Sequence, residues 1–314
     1  MNGSQYTEEI MSMMHAFGDS SQPMVESARL IESIVHEQLS TFIERAEDIA
    51  RIRDSQVVDV EDLLFLMRKD KTKLIRLVNH LYVKDLKQAI NEGNQFDIRM
   101  SDLAQCQQTR RVKICYEFLG QLGEFGEYRK VFNQALIDEV KNQRMRRLDS
   151  LTKNMSAAEY SEFTKARQVS FISKVKPDKF SEWLLARKPD TKMSIFAFEI
   201  IQYLAHETVA QIVDMSLLVK QDIERDPNDP LSVLITRSSH NKTDCAGIFN
   251  QCTQRQQHQG KSFNIPFSSK VDNYPKCLTP THIHEAMRRY CSTSGPYREF
   301  RIEDKSSPLV ILCI

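Results

Sequence analysis

The sequence predicts an all-α fold in which one pattern of elements occurs twice. Two long stretches, about 23–53 and 191–225, carry apolar residues at helical spacing. Each is preceded by a short helical segment, Tyr6 to Phe17 and Pro177 to Ala186. Each is followed by a brief extended step, a cap and a short amphipathic helix: Val57-Val58-Asp59 before Val60 to Lys69, and Cys277-Leu278-Thr279-Pro280 before Thr281 to Tyr290.

The first short helix sets Ile10, Met13, Met14 and Phe17 on one face, and Gly18 suits its C-terminal cap. Pro23 suits the first position of the next helix. That helix places Val25, Ala28, Ile31, Val35, Leu39, Phe42, Ala46 and Ile49 on one side. Glu26, Arg29, Glu32, His36, Glu44, Glu47 and Asp48 take the other. A span of this length is roughly 45 Å, too long for two short flanking helices to cover. A second crossing helix of similar shape is expected. Asp59 is expected to cap the third helix, where Leu63, Leu64, Phe65, Leu66 and Met67 are apolar on most sides. Lys71 to Ile90 continues helically behind Leu74, Leu77, Val78, Leu81 and Leu86.

Residues 91–170 read as a partly helical connector, with helical stretches at Val112 to Leu119, Tyr128 to Leu151 and Met155 to Phe171. The short helix after Pro177 carries Phe180, Trp183 and Leu184 on one side. Asp190 or Thr191 is expected to cap the second long helix, whose polar stripe is narrow: Glu199, Gln202, His206 and Asp214. Asp226-Pro227-Asn228-Asp229-Pro230 ends it. Residues 226–276 then read as an insertion, and Thr279-Pro280 restarts a helix. The expected domains are therefore 6–90, a first unit with a helical extension; 91–170, the connector; 171–295, a second unit; and 296–314, a tail.

Composition excludes several function classes. The chain of 314 residues has 43 basic and 42 acidic residues. A surface that wraps nucleic acid usually needs a clear basic excess, so DNA is not the expected main ligand. Seven cysteines without a CxxC pair read as reduced thiols of an intracellular protein. The Met-rich start lacks the features of a signal peptide. The most apolar stretch, Ile195 to Val219, contains Glu199, His206, Glu207 and Asp214, so no membrane span is expected. No phosphate-loop, dinucleotide, HExxH or GxSxG pattern is present, and only nine glycines are available. His282 and His284, two apart on a helix, point away from each other. Cys245, Cys252, His258 and Cys277 match no standard zinc spacing. No catalytic, metal or cofactor site is expected. His206 beside Glu207 reads as part of a polar network. The basic runs Arg68 to Arg76 and Arg144 to Arg147 read first as solvated faces.

Four stretches resemble the suppressor-of-Ty three family: Asp62 to Lys71; Glu199-Ile200-Ile201-Gln202-Tyr203-Leu204-Ala205-His206-Glu207 running on to Asp222; Ala158 to Phe163 with Arg167 to Phe171; and Ile283-His284-Glu285-Ala286-Met287-Arg288-Arg289-Tyr290. The resemblance covers most of residues 6–300. It implies two histone folds forming an intramolecular pair, in a nuclear, non-enzymatic subunit of the SAGA transcription coactivator. It also implies contact with the TATA-binding protein, TBP, and delivery of TBP to promoters. Other expected partners are SAGA subunits, histone-fold proteins among them, with at most a weak DNA contact and no membrane. Pairing is expected mainly within the chain, with the strand-like segment of each fold beside the first loop of the other. Its core is expected at Val35, Leu39, Phe42, Leu63, Leu66, Leu204, Val209, Ile212, Ile283 and Ala286. TBP carries a basic surface, so Glu199, Glu207, Asp222 and Glu224, taken as exposed positions of the second long helix, are the expected contacts. Two alternatives stay open. One is a TFIID-type histone-fold subunit. The other is a sequence-independent DNA binder using Arg68 to Arg76 and Arg288-Arg289.

Overall fold

A computed structural model describes residues 5–91, 110–122, 138–172, 176, 178–224 and 277–293. Among them helix dominates: α1 (Thr7–Ala16), α2 (Val25–Ile52), α3 (Val60–Met67), α4 (Lys71–Asn91), α5 (Arg110–Leu122), α6 (Glu139–Thr152), α7 (Ala157–Ala166), α8 (Lys179–Leu184), α9 (Ile195–Ile223) and α10 (Pro280–Thr293). Two two-residue strands, β1 (Val57–Val58) and β2 (Lys192–Met193), pair in parallel. The fold is all-α. The insertion 226–276, the tail 296–314 and the expected helix over 128–137 lie outside the described residues.

The described residues form two compact units. One holds 5–36, 139–172, 206–224 and 277–293; the other holds 37–91, 110–122, 138, 176 and 178–205. Each takes half of each long helix, so compactness groups residues across the domains expected from chain order. The reason is the apolar stripe of α2, which is buried from Ala28, Ile31 and Val35 through Leu39, Phe42, Ala46 and Ala50. No short helix next to it in sequence can cover that length.

In the first unit, α1 buries Ile10, Met13 and Met14. It ends on Gly18, whose φ of 110° lets the Asp19 N–H donate to the Met14 carbonyl at 3.0 Å. An L side chain rarely adopts that φ. α7 packs on α1 through Phe163, whose ring meets His15 edge-on at 5.4 Å. A capping box starts α7: the Glu159 N–H donates to Ser156 Oγ, and the Ser156 N–H donates to Glu159 Oε2. Val209, Ile212, Ile283 and Ala286 are buried.

In the second unit, α5 packs on α4 and α3 and buries Val112, Cys115 and Leu119, spaced three and four apart. Phe180, Trp183 and Phe198 form an aromatic cluster with ring centroids 5.5–5.7 Å apart. Leu63 and Leu204 are buried, whereas Leu66, expected in the core, is only partly covered. α3 has just eight residues, and Leu66 stands off the line of Leu63, Leu64 and Met67 that faces inward.

Candidate partner-binding surface

At each of two places, the segment after one long helix meets the segment before the other. In the second unit β1 follows α2, and β2 precedes α9. Ser194 N–H donates to the Val58 carbonyl at 2.9 Å, and Ser194 Oγ donates to Asp59 Oδ1 at 2.8 Å while accepting from Ala197 N at 3.1 Å. Ser194 therefore caps α9, where the sequence pointed to Asp190 or Thr191. Thr191 instead donates to Glu47 Oε1 at 2.6 Å, beside Lys188 at 3.0 Å. Burial works to raise the pKa of Glu47, but these two donors outweigh it and hold the carboxyl below its ordinary range. Asp59 caps α3 as expected, in a capping box with Asp62, whose buried carboxylate also accepts from Arg53 at 2.8 Å.

In the first unit, Leu278 follows the insertion and is held by both of its backbone groups. Its N–H donates to Asp19 Oδ1 at 2.9 Å, and its carbonyl accepts from Ser27 Oγ at 2.7 Å. Glu32, placed by periodicity on the solvent side of α2, is buried. It accepts from the N–H groups of Gln5 and Tyr6 at 2.8 and 3.1 Å and from Thr7 Oγ1 at 3.2 Å. It thereby caps α1, whose own Tyr6 provides no side-chain cap. A cap supplied by a helix 26 residues away leaves no local sequence signal.

The four acidic residues named from the sequence are not equally open. Glu199 accepts from Arg111 Nε at 2.9 Å and lies 3.2 Å from Lys84 Nζ. Burial works to raise its pKa, yet Arg111 and Lys84 hold it below the ordinary value. Glu207 lies 3.4 Å from Arg144, and Asp222 lies 2.7 Å from Arg289. Only Glu224 is an exposed position, with Lys220 at 3.8 Å. The expectation of open carboxylates is thus corrected for Glu199, Glu207 and Asp222. Their basic partners come from α4, α5, α6 and α10, which helical spacing along α9 could not reveal.

The densest polar group centres on buried Asp214. Arg144 donates to it at 2.8 Å, Arg147 donates to it as well, and Arg147 also donates to the Phe17 carbonyl at 2.9 Å. Burial works against the charge on Arg144, but Asp214 and Glu207 outweigh it, and the guanidinium is held charged. His206 stands beside this group, edge-on to Phe17 at 5.2 Å, and burial pushes its pKa down. Arg144 and Arg147 are therefore structural cations, not members of a solvated basic face. Cys115 is buried, and its thiol is pushed up to about 12 by burial and then by Asp85, which makes it unreactive. Among the described residues, no group of His, Cys, Asp and Glu is placed to hold a metal. No helix there is long and apolar enough to cross a membrane.

The chain is similar to known proteins along almost its whole length. The SAGA complex subunit Spt3 of Schizosaccharomyces pombe is 26% identical over 91% of this chain and 94% of the relative. That of Drosophila melanogaster is 29% identical over 92% of this chain and 69% of the relative. The chain belongs to the Spt3 family. Residues 4–97 of this Spt3-family chain also match the family of the transcription initiation factor IID 18kD subunit. Subunit 13 of TFIID from Arabidopsis thaliana is 39% identical over 31% of this chain and 75% of the relative. The Spt3 and TFIID relatives are transcription-complex subunits and not enzymes.

Proposed function

We propose that this chain is a SAGA-type coactivator subunit that binds TBP and helps deliver it to RNA polymerase II promoters in the nucleus. One observation carries the reading: likeness to Spt3 subunits covers 91% of the chain, whereas likeness to TFIID subunit 13 covers 31%, and the match to the 18kD subunit family ends at residue 97. A first histone fold at 6–90 and a second at 171–295 form the pair, joined by the connector 91–170. The pair is the platform on which other SAGA subunits and TBP dock, and the activity is mechanical. Near-equal numbers of acidic and basic residues favour protein partners over bare DNA.

Within this reading the acidic end of α9 is the contact for the basic surface of TBP, with Glu224 foremost and Asp222 beside it. Glu199 and Glu207 serve the fold first. The test is affinity capture of the tagged chain from nuclear extract with mass spectrometry, followed by TBP titration of Glu224→Lys. SAGA subunits in the capture, and several-fold weaker TBP binding by the variant, are expected. Capture of TFIID subunits without SAGA would favour the second reading, which rests on the 39% identity to subunit 13. Unchanged TBP affinity would remove Glu224 from the contact.

A further inference from the structure

Charge is unevenly spread over this nearly neutral chain. α4 and α5 together hold eight of its 43 Lys and Arg but only two of its 42 Asp and Glu. Some of these cations are used inside the unit. Arg76 pairs with Asp138, with Nη2 at 2.6 Å from Oδ1. Arg111 binds Asp85 and Glu199, and Lys84 binds Glu199. Of the others, Lys71 is half-buried and Lys73 lies 3.6 Å from Asp70, whereas Lys87, Arg110 and Lys113 are exposed, as is Lys69 just before α4. The acidic residue near Lys113 is Glu117 at 3.8 Å. Both side chains are about three-fifths exposed, so that pair neutralises little.

The open side of α4 also carries apolar groups. Val83, Lys87 and Ile90 recur at spacings of four and three, along one stripe of the helix. Val83 is 43% and Ile90 54% exposed. The start of α5 lies beside the last turns of α4, because the Arg111 N–H donates to Asp85 and its guanidinium reaches Gln88 at 3.1 Å. Arg110 and Lys113 therefore extend the same basic end.

We infer that the exposed face of α4 and α5 binds an acidic, amphipathic segment of a partner protein. Interleaved lysines and exposed branched residues complement a helix that bears carboxylates along the edges of an apolar stripe. A phosphate backbone would use the cations and leave Val83 and Ile90 wetted, so the mixed character favours the peptide over nucleic acid. The partner's charge sets encounter and register, and the apolar contacts set how long it stays.

The test uses the full chain and a fluorescein-labelled peptide of Asp and Glu with Leu and Phe at helical spacing, read by anisotropy. A labelled DNA duplex is the comparison probe. The expected result is saturable peptide binding that weakens about tenfold in Lys87→Glu/Lys113→Glu and about tenfold in Val83→Ser/Ile90→Ser. Circular dichroism should remain that of the parent, since all four positions are exposed. Binding that ignores both double variants, or no peptide binding at all, overturns the inference. So does duplex binding that falls with the charge variant while the apolar variant is silent, because the surface would then be a phosphate site.

Discussion

Replacing Asp214 by Ala is expected to cost about 3–4 kcal/mol. Asp214 is 3% exposed, and two guanidiniums converge on it from α6. Removing one partner of a buried ion pair typically costs about 3–5 kcal/mol, because the other charge stays desolvated. The two arginines are not left equally bare. Arg144 keeps Glu207 at 3.4 Å, whereas among the described residues Arg147 keeps the Phe17 carbonyl at 2.9 Å, which carries no charge. One charge is compensated in part and the other scarcely, which sets the value toward the lower half of the range. At roughly 3 °C per kcal/mol for a body of this size, the midpoint of thermal unfolding should drop by about 10 °C. Asp214→Asn keeps the shape and one acceptor and should lose about half as much. Arg144→Met/Arg147→Met/Asp214→Leu removes all three charges and should melt well above Asp214→Ala. Circular dichroism melts of the four proteins decide the matter. A midpoint for Asp214→Ala within 2 °C of the parent, or a triple variant as unstable as the single one, would refute the argument.

Leu204→Asp puts an unpaired carboxylate at a position 3% exposed, and should abolish cooperative unfolding, since the cost of several kcal/mol rivals a domain's whole stability. Glu199→Lys should lower the melting temperature by a few degrees, because it sets a third cation against Arg111 and Lys84. Gly18→Ala should cost about 1–2 kcal/mol by denaturant titration: φ is 110°, and a new Cβ would lie 3.0 Å from Arg147 Nε. His206 and His282 both have pKa values lowered from 6.5 by burial, so the unfolded chain binds protons more readily. Their contribution is complete above about pH 6.5 and is lost as pH falls through the folded values. Stability should drop between roughly pH 7.5 and 5.5, and His206→Gln should flatten that slope. A slope unchanged by the substitution would show that His206 is not its source. The raised carboxyl of Asp19 acts in the opposite sense, favouring the fold as it takes up its proton at lower pH.

Much of the fold was legible because its strongest determinants are periodic or local. The stripe of α2, the Asp59 cap, the Gly18 turn and the restart at Pro280 each follow from a few neighbouring residues. The same stripe misled at Glu32, since a carboxylate on a helix face reads as solvated unless the capped helix is known. β2 was missed because two residues, Lys192 and Met193, carry no alternation to detect. They are extended because Val57 and Val58 lie beside them.

The candidate contacts divide in the same way. Sequence alone determined that α9 has a narrow polar stripe of Glu199, Gln202, His206 and Asp214, with Glu207 next to it, since spacing along one helix is a property of the chain. It also determined the all-α class and the double occurrence of the pattern. Only tertiary structure decided which of those carboxylates are occupied. Arg111, Arg144 and Arg147 reach them from 63 to 88 positions away, and an ion pair depends on distance in space. The same holds for Leu278, which meets Asp19 across 259 positions and so joins the end of the second repeat to the start of the first. Propensity and periodicity act within a few residues, whereas charge pairing and burial act on whatever the fold brings within a few ångströms.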